Sequence, residues 1–165
     1  MPKAITVLVA GATGKQGGAV ARLLLEKGHR VRVLTRRPGA KPAASLLAAG
    51  AEVHEGDLED AASVERAAEG ADAFFLMATP FEQGVAAEVR QAERAAAGAR
   101  SAGVKHLVYS SVAGADRDTG IPHFDSKREV ERYVQGLGVP YTIVAPAFFM
   151  ENLLGPMFLH GLRAG

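Results

Sequence analysis

The chain has 165 residues, a formal net charge of +1 and no cysteine. That length suits one domain able to bury a real hydrophobic core, and the near-neutral balance gives no broad field to attract nucleic acid or an anionic membrane. Without cysteine there are no disulfides, no thiol chemistry and no cysteine metal site, as suits a cytoplasmic protein, and no metal site is assigned.

The first element is an apolar, β-branched strand at 7–10 that runs into a glycine-punctuated turn and then a helix. Because this short run leads straight into the turn, it reads as a core strand and not as a signal peptide; no apolar stretch is long enough to span a bilayer. Gly11 can take the dihedrals of a tight turn, Gly14 lets the backbone approach a pyrophosphate, and Gly17 lets the helix pack on the strand. Peptide nitrogens around Thr13, Lys15 and Gln16 would then meet phosphate at the helix N-terminus, where the macrodipole favours negative charge. Ala19, Val20, Leu23 and Leu24 make the apolar stripe of that helix, and Lys27 with Gly28 marks its end.

A second strand at 29–35 ends in Arg36 and Arg37. An acid about 20 residues beyond the glycines selects NAD through the ribose 2′-hydroxyl, whereas arginine accommodates a 2′-phosphate. Here no acid stands at that place. Arg36, helped by Arg37 and Lys41, is therefore expected to favour NADP(H) over NAD(H) through a bidentate guanidinium contact.

Helix and strand then alternate: helix 43–49, strand 51–54, helix 60–68, and a continuous apolar strand at 73–77 of the kind covered on both faces. A long helix at 83–102 carries Val85, Val89, Ala92 and Ala96 on one side, with Glu88, Arg90, Glu93 and Arg94 on the other. A strand follows at 104–109, then a helix at 126–135 with Ser126 as N-cap and Glu129 as its capping-box partner, then a strand at 141–144. This alternation predicts an α/β, doubly wound parallel sheet with helices on both faces, the Rossmann fold. In such a sheet ligands lie over the carboxyl ends of the strands. Those ends add Asp57 and Leu58, either an adenine contact or an ordinary turn, and the small residues Ala78 and Thr79 beside a ribose.

Four segments carry a family resemblance: Gly11-Ala-Thr-Gly-Lys-Gln-Gly-Gly18, Val33-Leu-Thr-Arg-Arg-Pro38, Pro122-His-Phe-Asp-Ser-Lys-Arg-Glu-Val-Glu131, and the stretch from Gly138 through Tyr141, Pro146 and Phe149 to Leu154. Together they resemble the NmrA-like branch of the atypical short-chain dehydrogenase/reductases, closest to its redox-sensor members. The resemblance implies an NADP(H)-binding Rossmann domain, here 1–152, followed by a smaller substrate lobe, 153–165 being either the start of that lobe or a tail. Family members continue for about another hundred residues.

In active relatives a Tyr-x-x-x-Lys pair moves the proton. This chain keeps Lys127 and places His123 where the tyrosine stands, one helical turn away. A histidine can move protons near neutral pH, yet a neighbouring ammonium disfavours its charged form. Ser111 matches the serine after the fifth strand, with Ser110 as a near competitor. Pro146, Ala147 and Phe148 match the stretch that contacts the nicotinamide, although Phe148 and Phe149 read equally as core aromatics, and Asn152 matches a residue lining the cleft. Ala145 departs from the arginine many relatives carry. Two functions follow from the resemblance: a sensor that reports cofactor occupancy through contact with a protein partner or a second copy, or an NADPH-dependent reductase of a quinone, enone or related carbonyl.

Overall fold

The computed structural model describes residues 3–154. Six parallel strands, β1 (Thr6–Val9), β2 (Arg30–Thr35), β3 (Glu52–Glu55), β4 (Ala73–Leu76), β5 (His106–Ser110) and β6 (Tyr141–Val144), form one sheet in the order β3-β2-β1-β4-β5-β6. The order reverses at β1, whose Val9 stands in register with Val33 on one side and Phe75 on the other. A crevice at the carboxyl edge follows from that reversal, because the chain leaves β1 and its neighbour β4 toward helices on opposite faces of the sheet.

Alternate side chains of each strand serve opposite layers. Val7, Val9, Val31, Val33 and Phe75 pack with Ala21 of α1 (Lys15–Glu26) and Leu46 of α2 (Lys41–Ala48). Leu8, Phe74, Leu76, Leu107 and Tyr109 pack on the other face against α3 (Ala61–Ala68), α4 (Val85–Ser101) and α5 (Pro122–Gly136). Small residues let those helices lie close. A Cβ on Gly98 of α4 would fall on the Ala61 carbonyl oxygen and within 3.2 Å of the Glu65 nitrogen.

Several expectations need correction. On α1 the inner face is Gly17, Gly18 and Ala21, while Ala19 and Leu23 of the expected stripe face solvent; close approach to the strand selects the smallest side chains. Helix α5 starts four residues early, with Pro122 in its first turn, where the missing N–H costs nothing. Ser126 is therefore no N-cap: it lies inside the helix and donates to Glu88 Oε2 at 2.6 Å. Glu88, expected on the solvated side of α4, is completely buried. Helix α4 itself begins at Val85, because Gly84 at φ 85° cannot continue the turn backward. The aromatics at 148 and 149 are 49% and 42% exposed and so stand outside the core of the described residues. Of the expected tail 153–165, everything beyond Leu154 lies outside the described residues. No helix among the described residues is long and apolar enough to cross a membrane.

Candidate functional site

The glycine turn is built as its spacing requires. Ala10 N–H donates to Phe75 O at 2.9 Å, holding the end of β1 to β4, and the chain reverses at Gly11 with φ +64°. Gly14 N–H returns to Gly11 O at 2.9 Å. Gly17 packs beneath the turn, where a Cβ would strike the Gly11 carbonyl and come within 2.8 Å of Ala10 O. Gly14 occupies the N-cap in extended conformation and offers no side-chain cap. The first-turn N–H groups of Lys15, Gln16 and Gly17 have no intrahelical acceptor, as at any helix start, and no side-chain cap covers them.

In front of this turn lies a cleft of about 300 Å³. Its walls include Gly11, Thr13 and Gly14 from the turn, Arg36 and Arg37 after β2, Asp57 and Leu58 after β3, and Ala78 and Thr79 after β4. These are the tips of the four strands on one side of the sheet, the half of such a site that takes an adenosine phosphate. Asp57 also serves the turn, since its Oδ1 accepts from Glu59 N–H at 2.9 Å. Met77 lies across the turn, its Cε 2.5 Å from where a Gly11 Cβ would stand.

Strand-end reasoning missed Glu82, Gln83 and Gln91, all in the cleft wall. Glu82 Oε2 accepts from Arg36 Nη2 at 2.7 Å. That contact holds the Glu82 carboxyl below its usual range and raises the Arg36 guanidinium further. The available signal was an acid just beyond the tip of β4, facing two arginines at the tip of the strand two places away.

Beyond the cleft, Lys127 of α5 is buried. Its Nζ donates to Ala78 O at 2.7 Å and Ser110 O at 3.3 Å, and lies 2.9 Å from Glu88 Oε1. The ammonium thus ties the tips of β4 and β5 together. Of the two serines, Ser110 meets the glycine turn, its hydroxyl 2.8 Å from Gln16 Nε2, whereas the Ser111 hydroxyl donates to buried Glu131 at 2.6 Å. His123 is exposed on the first turn of α5, its ring 4.5 Å from that of Phe124. Lys15 is exposed at the start of α1, and Lys41 is exposed at the start of α2, away from the named cleft walls. Pro146 accepts from Ala113 N–H at 3.0 Å, placing 146–148 beyond the tip of β6. The structure therefore gathers residues from the tips of β1 to β4 in one wall and leaves Lys15, Lys41, His123, Ser111 and 146–148 outside it.

A doubly wound sheet with an uncapped glycine turn over its crevice defines a Rossmann-type domain. The profile of the NmrA-like family matches residues 3–165, and the chain belongs to that family. An NmrA-like family domain-containing oxidoreductase, himF, of Aspergillus japonicus is 37% identical over 160 residues, spanning 91% of this chain and 48% of its own. A (4-alkanoyl-5-oxo-2,5-dihydrofuran-3-yl)methyl phosphate reductase of Streptomyces griseus is 39% identical over 150 residues, 90% of this chain and 49% of its own. The chain thus spans about half the length of these curated relatives. Among solved structures, NmrA, a negative transcriptional regulator, in complex with NADP is similar at TM-score 0.73 and 27% identity, covering 86% of this chain and 45% of that one. The same regulator in complex with NAD gives 0.74 at the same identity and coverage.

Proposed function

We propose that this chain binds NADP(H) in preference to NAD(H) and acts as a redox sensor, its occupancy being read through contact with a protein partner or a second copy. The observation that carries the cofactor reading is Arg36 beside the glycine turn in one cleft. Gly11 to Gln16 would hold the diphosphate on peptide nitrogens, Arg36 and Arg37 the 2′-phosphate, Leu58 and Asp57 the adenine, and Ala78 and Thr79 the ribose. Residues 1–152 would be the cofactor domain, and the chain beyond would begin a substrate lobe. The sensor reading draws on His123, which stands exposed where relatives' phenol is expected, and on Lys127, whose ammonium is engaged by two carbonyls and a carboxylate.

The second reading, an NADPH-dependent reductase, draws on the oxidoreductase names of the relatives. When bound, the nicotinamide would supply a hydride to a quinone, enone or similar carbonyl. His123 would then hand on the proton, Lys127 would orient the ribose, and Ser111, with Ser110 as its near competitor, would orient the carbonyl. Titration of NADPH and NADH against wild type and Arg36→Ala tests the cofactor reading; equal affinities in wild type defeat it. Turnover on a quinone panel that disappears in His123→Phe would replace the sensor with the enzyme.

A further inference from the structure

Arg36 and Glu82 close on each other at the cleft. Both line it, and the guanidinium edge assigned above to a 2′-phosphate already carries the Glu82 carboxylate at 2.7 Å. A carboxylate and a phosphate offer a guanidinium the same thing, oxygens that accept charge-assisted N–H bonds, so they are alternatives for one seat. The pair is open to water, with side-chain exposures of 49% and 66%, and exposed pairs are weak enough to be displaced. Glu82 rides on the segment 80–84 between β4 and α4, which is closed by Gly84 N–H to Pro80 O at 2.8 Å and bends at Gly84, φ 85°. Its neighbour Phe81 is 88% exposed, the most exposed large apolar side chain among the described residues.

We infer that Glu82 is an internal anion seated on Arg36, which an incoming 2′-phosphate displaces together with the 80–84 segment, so that a phosphorylated dinucleotide is reported at Phe81 and an unphosphorylated one is not. The inference rests on the reading of Arg36 as the 2′-phosphate residue. Glu82 then sets the cofactor ratio from the segment after β4, across the cleft from the arginines: it competes with the 2′-phosphate of NADP(H) and leaves NAD(H) untouched. It also supplies a physical link from cofactor identity to an apolar surface residue, the link a sensor requires.

The chain has no tryptophan, so Phe81→Trp gives a single fluorescent reporter at a site that already faces water. Calorimetric titration of NADP+ and NAD+ into wild type, Glu82→Gln and Arg36→Gln is combined with Trp emission in Phe81→Trp, alone and with Glu82→Gln. The expected result is NADP+ binding about two- to fivefold tighter in Glu82→Gln, the size of one exposed ion pair, with NAD+ changed less than about twofold. Emission should shift with NADP+, stay put with NAD+, and lose its NADP+ response once Glu82 is replaced. Unchanged or weaker NADP+ binding in Glu82→Gln, or an equal emission response to both dinucleotides, overturns the inference. If that happens while Arg36→Gln still loses NADP+ affinity, the failure belongs to Glu82 alone. An Arg36→Gln protein with full NADP+ affinity would sink the underlying phosphate seat and the inference with it.

Discussion

Lys127 and Glu88 meet inside the protein at 2.9 Å, the lysine side chain 11% exposed and the glutamate not exposed at all. Glu88 Oε2 also accepts from Ser126 at 2.6 Å, while the contact of Oε1 with the ammonium is an ion pair without hydrogen-bond geometry. Breaking a buried pair by removing one member leaves an uncompensated charge, which costs about 3–5 kcal/mol, whereas replacing both members with apolar residues is often neutral. Glu88→Leu and Lys127→Met should each lower stability by an amount of that order in denaturant titrations. The double variant should recover much of the loss. Additive losses would mean that the two charges are not coupled.

Tyr109 invites a change in the other direction. Its ring is completely buried beneath Lys127, 5.4 Å from Nζ, and its hydroxyl has no hydrogen-bond partner among the described residues. Burial, reinforced by the nearby carboxylates of Glu88 and Glu131, pushes the phenol far above its ordinary range, so it stays neutral. A buried polar group left unsatisfied costs about 1–3 kcal/mol. Tyr109→Phe removes that group and keeps the ring, and should leave the thermal midpoint unchanged or raised. A clear fall would show that the hydroxyl has a partner.

Two glycines of the turn should separate folding from binding. At Gly17 an added Cβ would strike backbone oxygens of both Ala10 and Gly11, so Gly17→Ala is expected to destabilise by about 1–3 kcal/mol, the usual cost of overpacking. At Gly14 the nearest atom is Gly11 O at 3.3 Å and the backbone is extended. Gly14→Val should therefore fold, yet lose dinucleotide affinity, because its side chain occupies the space of the diphosphate. Circular dichroism melts with NADPH titrations distinguish the two; undiminished affinity in folded Gly14→Val would count against the site.

Acid sensitivity should trace in part to Asp72. Lys105 Nζ donates to its Oδ1 at 2.8 Å and Thr6 N–H to Oδ2 at 2.9 Å, and these contacts, the lysine foremost, hold its carboxyl below its ordinary range. With the folded value depressed, the unfolded chain takes up the proton first as pH falls. The stabilisation is full above the ordinary aspartate value of about 3.9 and drains away below it, as pH falls through the folded value. Asp72→Asn should be less stable than wild type at pH 7 and show a shallower decline of the thermal midpoint below about pH 4. Parallel acid limbs would exclude the assignment.

Much of the architecture was legible in the chain. The strand at 7–10, the glycine spacing and the arginines at 36 and 37 are local patterns, and the alternation of strand and helix requires right-handed crossovers that bring every strand tip to one edge. For that reason Thr13, Arg36, Asp57 and Thr79, far apart in sequence, line one cleft as expected. What local pattern leaves open is which side of a helix meets its neighbours at close range. Ala19 and Leu23 fit a helical stripe and face water, while Glu88 fits a solvated face and is buried.

By itself, then, the sequence determined the local features: a glycine turn between strand and helix, two arginines at the end of the next strand, and a lysine on the last α-helix. Only the tertiary structure decided the pairings. It set Glu82 against Arg36, Glu88 against Lys127, and Ser110 instead of Ser111 against the turn. The physical reason is that hydrophobic periodicity is written along one element, whereas the partner of a charge is set by what another element carries to within about 3 Å of it.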